Sequence, residues 1–257
     1  MQLQLIRNAT LRLTYGGQLW LIDPYLAPRH SRPSYTGKSP NPLVELPCSI
    51  EDVLAGVEVV VVSHLHSDHF DPVAHDRVRK DLPLFCQPGD EPTIVSKGFE
   101  DVRPVVDRAE WNGVSLTRTP GQHGSGAVLA DMGRTSGFVF RAEGEPTLYW
   151  AGDTILTDDV LGVIASVRPD VIVTHSSGAV WGPGTLIVMD AEQTVAVCEA
   201  APTAVVVAVH LDSLDHGTVS RADLRAYGER QGIGPDRLRI PADGETLSDW
   251  AIGDGPS

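Results

Sequence analysis

The sequence predicts a mixed α/β fold, and two observations support this class. Residues 2–23 alternate between apolar and polar positions, and Gly16 and Gly17 separate two of the runs, which is typical of a meander of strands. Farther along the chain, short apolar runs alternate with stretches that have a helical pattern and capping residues. The run at 203–209 is nearly all apolar, as expected for a strand that is covered on both faces.

This alternation defines the remaining elements. Ser49, Asp190 and Ser220 are suited to cap helix starts, and Gly56 and Gly98 are suited to end helices. The predicted helices cover 49–55, 73–80, 90–97, 160–167, 190–200 and 220–231. The predicted strands after the meander cover 57–62, 84–86, 102–106, 114–119, 136–141, 147–150, 170–174, 203–209 and 237–240. We expect one domain that spans residues 1–257, with a loose tail from Gly253.

The composition argues against several classes of function. The chain has 20 Lys and Arg against 34 Asp and Glu, a net charge of −14, so a nucleic-acid backbone would be repelled. Cys48, Cys86 and Cys198 are far apart, which favours free thiols in a reducing compartment. No signal-peptide core is present, and no apolar run approaches the roughly 20 residues that span a bilayer. We therefore expect a soluble cytoplasmic protein without a nucleic-acid or membrane partner; a homo-oligomer is compatible with the sequence.

Residues 24–47 form a long proline-rich segment. Six prolines within it argue against a regular helix or a central strand. A loop of this length in a compact domain is usually functional or mobile, so we expect it to flank a substrate cleft. Its basic residues, among them Arg29, Arg32 and Lys38, would suit an anionic small-molecule substrate. A merely solvated loop is the alternative.

A cluster of histidines and aspartates directly follows the apolar run at 59–62. Of the nine histidines in the chain, His64, His66 and His69 lie here, together with Asp68. In an extended chain His64 and His66 point to the same side and can reach one cation, because side chains alternate with period two. Asp68 and His69 come after the chain has turned, where they can face a second cation. A single structural metal is the alternative, but structural zinc prefers cysteine-rich sites and no cysteine is near.

Further candidate ligands stand at the ends of other predicted strands. His123 follows the strand at 114–119, Asp153 follows the strand at 147–150, and His210 follows the strand at 203–209. Asp153 has two oxygens that can bridge two cations, although a role in capping a turn is the alternative. Asp23 follows the third strand of the meander, where it can orient a metal-bound histidine or serve as a turn residue.

Three residues are weaker candidates for contact with a substrate or for support of the metal ligands. His175 follows the buried strand at 170–174, and His216 follows His210 in the same loop. Each histidine can contact the substrate or protonate a leaving group. Trp181 lies in a segment, 178–184, that is predicted to be a loop. Surface positions without a role are the alternative for the two histidines.

The spacing His64-x-His66-x-Asp68-His69 after an apolar strand resembles the metal-binding motif of the metallo-β-lactamase superfamily. The segment 151–154, Ala-Gly-Asp-Thr, and His210 follow in the order that this resemblance implies. The segment 21–24, Leu-Ile-Asp-Pro, is similar to the branch that includes L-ascorbate-6-phosphate lactonases. The resemblance implies a four-layer αβ/βα sandwich. It also implies one metal bound by His64, His66 and His123, a second bound by Asp68, His69 and His210, and Asp153 between them.

The resemblance and the cluster together predict a metal-dependent hydrolase. Two divalent cations about 3.5–4 Å apart can hold a hydroxide and polarise the bond under attack. We expect Asp68 to be a ligand that also orients the attacking oxygen, and the substrate to be a small ester, lactone or phosphodiester. Zinc is the expected metal, followed by manganese. An iron-dependent oxygenase on the same fold and a non-catalytic metal- or ligand-binding protein are the alternatives.

Overall fold

Two large β-sheets face each other and form the centre of the protein. The computed structural model describes residues 1–250, so the expectation for the tail from Gly253 lies outside the described residues. The strands within residues 1–250 are β1 (Gln2–Arg7), β2 (Thr10–Tyr15), β3 (Gln18–Ile22), β4 (Val59–Val62), β5 (Pro83–Cys86), β6 (Asp101–Pro104), β7 (Arg108–Trp111), β8 (Val114–Gly121), β9 (Thr135–Arg141), β10 (Leu148–Trp150), β11 (Val171–His175), β12 (Val180–Trp181), β13 (Thr185–Leu186), β14 (Val205–Val209), β15 (Leu238–Arg239) and β16 (Thr246–Leu247).

Several of the helices begin at a side chain that caps their first turn. Ser49, Asp190 and Ser220 each accept a hydrogen bond from a backbone N–H of the first helical turn, as predicted. Asp71 does the same for the second helix. The helices are α1 (Ile50–Leu54), α2 (Pro72–Arg77), α3 (Glu91–Ser96), α4 (Leu129–Met132), α5 (Asp158–Val167), α6 (Ala191–Ala200) and α7 (Arg221–Arg230). Within residues 1–250, none of the helices is both long and apolar enough to cross a membrane.

The two sheets and the helices form four layers. The strand order is β16-β1-β2-β3-β4-β5-β6 in the first sheet and β15-β14-β11-β10-β9-β8-β7 in the second. Apolar residues of α1, α2 and α3 pack on the outer face of the first sheet, and those of α5, α6 and α7 pack on the outer face of the second. The prediction of an αβ/βα sandwich is therefore confirmed.

The core between the sheets consists of large side chains from alternate strand positions. Trp20 of β3 and Phe85 of β5 come from the first sheet, and Phe138, Phe140 and Trp150 come from the second. The rings of Trp20 and Phe140 meet edge to face across the interface at 5.6 Å. This packing holds the two sheets, and the residues at their strand ends, in one fixed arrangement.

Several short elements differ from the sequence expectation. The segment 178–184, predicted to be a loop, contains β12 and the turn to β13, which form a two-stranded ribbon. The strands β7 and β16 lie at sheet edges and have no counterpart among the predicted strands. β7 alternates between partly buried and exposed positions, and β16 has only two residues, so neither has a distinct apolar pattern.

The topology brings several strand ends to one edge of the sandwich. β3 and β4 are parallel in the first sheet, and β10, β11 and β14 are parallel in the second. Parallel neighbours present their carboxyl ends on the same side. The residues that follow these strands therefore meet at the edge of the sandwich, where the ends of the two packed sheets come together.

Candidate metal centre

Asp153 lies at the centre of the residues that the sequence singles out. Within residues 1–250, two groups of potential ligand atoms surround it, each with all its atoms within 4.8 Å of one another. The first group is His64, His66, His123 and Asp153, and the second is His69, Asp153, His175 and His210. Asp153 Oδ2 lies 3.2 Å from His123 Nε2 in the first group and 3.2 Å from His69 Nε2 in the second.

A chain of hydrogen bonds determines which nitrogen of His64 carries the proton. The Ser63 hydroxyl donates to Asp23 Oδ2 over 2.7 Å, and His64 Nδ1 lies 2.9 Å from the same hydroxyl oxygen. Because that hydroxyl proton is already used, His64 Nδ1–H is the donor and Ser63 Oγ the acceptor. The lone pair of the neutral ring is then on Nε2, which faces Asp153 at 3.8 Å.

His69 and His123 are oriented in the same way by acceptor groups. His69 Nδ1 donates to Asp23 Oδ2 over 2.6 Å, and His123 Nδ1 donates to the backbone carbonyl of Ile187 over 2.8 Å. A carbonyl or carboxylate oxygen only accepts, so each Nδ1 must carry a proton. Both Nε2 atoms consequently point toward the centre.

The buried nitrogens that face the centre lack partners. Among the described residues, neither His64 Nε2 nor His69 Nε2 has a hydrogen-bond partner, although both are buried. An unpaired buried polar atom is costly, and nearly all such atoms in proteins are satisfied. Lone pairs that converge on a shared carboxylate fit a divalent cation, because imidazole and carboxylate are both common ligands of such cations.

His175 has the opposite orientation from the other histidines. Its Nε2 accepts a hydrogen bond from the Trp150 indole N–H over 3.2 Å, and its Nδ1 lies 2.5 Å from Asp153 Oδ1. An indole nitrogen only donates, so the lone pair of His175 is on Nε2 and its proton is on Nδ1. His175 therefore donates to Asp153 and has no lone pair directed at the centre.

Asp68 and His210 lie beside the second group. Asp68 Oδ2 is 3.2 Å from His210 Nε2 and 3.5 Å from His69 Nε2. His210 directly follows β14 and has a left-handed backbone, with φ of 65°. Asp23, directly after β3, also has a left-handed backbone, with φ of 45°. Left-handed conformations cost energy in residues other than glycine and cluster at functional sites.

The electrostatics of the two central carboxylates are dominated by the neighbouring imidazoles. Burial by itself would raise the pKa of Asp153 and of Asp68, but His69 and His210 outweigh it and hold both pKa values well below their usual range. Both side chains are thus anionic. In turn, burial lowers the pKa of His123 to about 4, so its ring is neutral at physiological pH. His69 differs, because Asp153, Asp68 and Asp23 outweigh its burial and hold its pKa well above the usual range. A cation bound at His69 Nε2 would therefore displace a proton, whereas His123 is already in the neutral form that cation binding requires.

A cavity of about 190 Å³ opens over the centre. Trp181 and His216 line it, as does Tyr35, which comes from the long proline-rich loop. Arg29, His30, Arg32 and Lys38 of that loop are not among the lining residues. The full lining is Tyr35, His66, Ser67, Asp68, His123, Asp131, Met132, Asp153, Trp181, Ile187 and His216.

Sequence reasoning missed three residues that shape this centre. Tyr35 has no periodic neighbours to single it out. In the sequence, Trp150 resembles an ordinary core residue at the end of a strand, and Ser63 resembles a simple link between a strand and the histidine cluster. The only available signal was position, because Ser63 and Trp150 each adjoin a strand end that leads into the site.

Comparison with known proteins agrees with this architecture. A family model described as "Beta-lactamase superfamily domain" matches residues 20–211. The UPF0173 protein YddR of Bacillus subtilis (strain 168) is 34% identical over 254 residues, which cover 96% of this chain and 100% of that protein. The chain belongs to the metallo-β-lactamase superfamily. Other relatives within it are named UPF0173 metal-dependent hydrolases, for example one from Xanthobacter autotrophicus that is 27% identical over 177 residues, 64% of this chain and 67% of that protein.

Two solved structures resemble the chain over nearly its whole length. A possible metal-dependent hydrolase from Veillonella parvula DSM 2008 has a TM-score of 0.92 at 37% identity and covers 96% of this chain and 98% of its own. An isothiocyanate hydrolase from Delia radicum gut bacteria also has a TM-score of 0.92 at 37% identity, with 98% and 100% covered. Membership of the superfamily, predicted from the histidine motif, is thereby confirmed. The lactonase branch stays a prediction.

Proposed function

We propose that this metallo-β-lactamase superfamily member is a metal-dependent hydrolase with two cations at the candidate centre. The observation that supports the proposal most is the position of the Asp153 carboxylate between the two groups of histidines. His64, His66 and His123 would hold one cation, and Asp68, His69 and His210 would hold the other, with Asp153 shared. Zinc is the expected metal, followed by manganese. The names of the relatives agree with hydrolysis.

The cations would supply the attacking group, because a bound divalent cation lowers the pKa of water to about 7 and polarises the bond under attack. The residues of the chain then have distinct tasks. Asp68 has one oxygen near His210 and its other oxygen toward Tyr35 at 3.5 Å, which suits it to accept a proton from the attacking oxygen. Trp181, Met132 and Ile187 pack together and would give one side of the cavity an apolar surface for the substrate.

The lining favours a small, uncharged substrate. Among the described residues, no Lys or Arg lines the cavity, whereas Asp68, Asp131 and Asp153 do. Apart from the proposed cations, an anionic phosphodiester would find no basic partner in this lining, so esters and lactones fit better. An isothiocyanate also fits, and one solved relative is named an isothiocyanate hydrolase. Hydrolysis of R–N=C=S adds one water and releases the amine R–NH₂ and carbonyl sulfide.

Metal content and turnover test the proposal together. The protein is purified without chelator, metal per chain is measured, and hydrolysis is assayed before chelation, after chelation and after reconstitution. The substrates are benzyl isothiocyanate, phenyl acetate, γ-butyrolactone and bis(p-nitrophenyl) phosphate. We expect two equivalents of zinc or manganese, turnover of an uncharged substrate, and recovery of activity on reconstitution.

A matched pair of variants tests the shared carboxylate. Asp153→Asn should lower the occupancy of both metal positions, because it removes the anionic oxygen common to both groups. The exposed Asp159→Asn, on α5, makes the same chemical change away from the centre and should keep both metals. One equivalent of iron per chain would instead favour the oxygenase alternative. Tightly bound metal without turnover of any substrate would favour a binding protein.

A further inference from the structure

The carboxylate of Asp215 accepts an unusual number of hydrogen bonds from one segment. Asp215 is buried, and Ser34 Oγ, the Tyr35 N–H and the Asn41 side-chain amide donate to it over 2.5, 3.0 and 2.9 Å. Thr36 adds its N–H and its hydroxyl over 3.1 and 2.6 Å. Hydrogen bonds to an ionised acceptor are roughly twice as strong as neutral ones. The buried carboxylate of Asp215 therefore holds residues 34–41 in place through these hydrogen bonds.

The same segment closes on itself near Asp215. Arg32 and Asn41 exchange two backbone hydrogen bonds, over 2.7 and 2.9 Å. The Asn41 side-chain oxygen accepts from the backbone N–H of Asp215 over 2.9 Å, so the two side chains hold each other in both directions. A proline-rich segment without a helix or a regular strand thereby has one defined position.

Because Asp215 holds residues 34–41 in place, Tyr35 lies in the wall of the cavity. Its ring meets His216 edge to face at 4.8 Å and Trp181 at 6.2 Å. The hydroxyl lies 3.2 Å from Ser67 Oγ and 3.5 Å from Asp68 Oδ1. Both distances are long compared with the usual 2.7–2.8 Å of an O–H···O hydrogen bond, so this donor is available to a ligand.

The aromatic side of the cavity continues from Tyr35 to Trp181, which is attached to the same loop. The β12–β13 ribbon carries Trp181, and the N–H of Val180 donates to the His216 carbonyl over 3.2 Å. Asp215 and His216 thus connect both aromatic residues to the chain that follows His210. The cavity beside these rings has an aromatic side and polar residues toward the proposed metal centre.

We infer that Tyr35 is a specificity-determining residue whose hydroxyl donates a hydrogen bond to the substrate, and that Asp215 is its positioning residue. This inference rests on the proposed function. A flat apolar substituent, such as an aryl or benzyl group, would pack against the side of the cavity that the Tyr35 and Trp181 rings form together. The hydroxyl would donate to the heteroatom of the bond that is hydrolysed.

Two substitutions at Tyr35 separate the ring from the hydroxyl. Tyr35→Phe keeps the ring and should lower kcat for the best uncharged substrate about tenfold or more, because one donor to a developing charge is lost. Tyr35→Ala should also raise KM for a benzyl substrate relative to its ethyl analogue. Both variants should keep the metal content of the wild type. Wild-type kcat in Tyr35→Phe would overturn the role of the hydroxyl.

A binding measurement, which needs no turnover, tests whether the Tyr35 ring packs against an aromatic ligand. Benzylthiol and ethanethiol are titrated into the zinc-loaded protein, since a thiolate is a good zinc ligand. Tyr35→Ala should weaken benzylthiol binding about tenfold, Tyr35→Phe should leave it unchanged, and ethanethiol should bind all three proteins equally. Equal benzylthiol binding by Tyr35→Ala and the wild type would overturn the aromatic wall. Absence of turnover in the wild type would refute the proposed function and leave this result interpretable.

Asp215→Asn tests whether the Asp215 carboxylate holds residues 34–41 in place. The amide nitrogen would face N–H donors that need an acceptor, so the segment should open and trypsin should cleave after the exposed Lys38 about tenfold faster. The control is Asp212→Asn, in the same loop, because Asp212 contacts Arg221 of α7 and not the segment. Its cleavage rate should match the wild type. Equal rates in Asp215→Asn and the wild type would overturn the positioning role.

Discussion

Replacing Asp23 by Asn should weaken binding at both metal positions, although Asp23 is not a proposed ligand. Its carboxylate is fully buried and accepts three hydrogen bonds, from the Ser63 N–H, the Ser63 hydroxyl and His69 Nδ1. Through Ser63 it also determines the orientation of the His64 proton. Asp23 thus acts on one histidine of each group.

The effect follows from proton positions. The side-chain amide introduced by Asp23→Asn would keep an acceptor for the Ser63 N–H at 2.8 Å but would place an N–H₂ group where Oδ2 now accepts two protons. Ser63 would turn its hydroxyl proton toward His64 Nδ1, and His69 Nδ1 would become an acceptor. Both rings would then carry the proton on Nε2, where it blocks cation binding.

The size of the loss can be bounded. Removing a hydrogen-bond partner of a metal ligand typically costs about 10–100-fold in affinity, which is about 1.4–2.8 kcal/mol. Because one histidine of each group is affected, we expect a loss of this size at each position. Competition between the protein and a chromophoric chelator for zinc measures both affinities.

A second buried carboxylate provides the control. Asp71 also accepts hydrogen bonds through Oδ1, from Leu26 and Ala74, while among the described residues its Oδ2 has no partner. Asp71→Asn therefore keeps the existing bonds and contacts no proposed ligand, and its zinc affinity should match the wild type. If Asp23→Asn binds zinc as tightly as Asp71→Asn, or if both lose it equally, the tautomer argument is refuted.

Three further predictions concern the surroundings of the centre. Trp150→Phe and Trp20→Phe each remove a buried indole donor, so each should lower the free energy of unfolding in urea by about 1–3 kcal/mol. Only Trp150→Phe should also weaken zinc binding, about tenfold, because only Trp150 donates to His175 beside the centre. Burial lowers the pKa of His123 from 6.5 to about 4, so the stability that its neutral ring provides is present above pH 6.5 and is lost as the pH falls toward 4. At pH 5 the metal-free protein should have lost about 2 kcal/mol from this group, and urea unfolding of chelated His123→Gln should show a correspondingly shallower slope between pH 6.5 and 4. Gly152→Ala should destabilise the protein by about 1–3 kcal/mol more than Gly144→Ala. Both glycines have a left-handed φ, but only at Gly152 would an added Cβ meet a backbone oxygen, at 2.8 Å. Equal unfolding midpoints of the two variants would contradict this prediction.

The sheets and the positions of the predicted ligands were accessible from the sequence. Period-two alternation and apolar runs locate β1 to β4 and β14 to within a few residues, because the burial of a strand is reflected in its side-chain pattern. His64, Asp153 and His210 stand close after such runs, so parallel strands bring them together. The sequence also predicted that the proline-rich loop flanks the cleft, and Tyr35 of that loop lines the cavity.

The pairings that orient these residues were only partly accessible, because the partners are distant in the chain. The sequence singled out Asp23 as a group that can orient a histidine, but not His69, 46 residues away, as that histidine. Asp215, which meets Asn41 across 174 residues, was not singled out. No local pattern encodes such pairs, since they depend on how distant loops pack against one another. The ribbon that carries Trp181 was missed for a related reason, because two-residue strands have no measurable period.

His175 shows why proximity alone does not define a ligand. It lies within the second group, yet the Trp150 indole holds its lone pair away from the centre, and its proton supports Asp153. In the first sheet, Asp23 has a comparable role, because it accepts a hydrogen bond from His69 Nδ1 and so orients that ring. Each sheet therefore carries its own ligands together with the residues that orient them, and the spacing between the two sets depends on the apolar packing between the sheets. Mutations in that core, far from any ligand, should consequently alter metal affinity through distance and leave the proton positions unchanged.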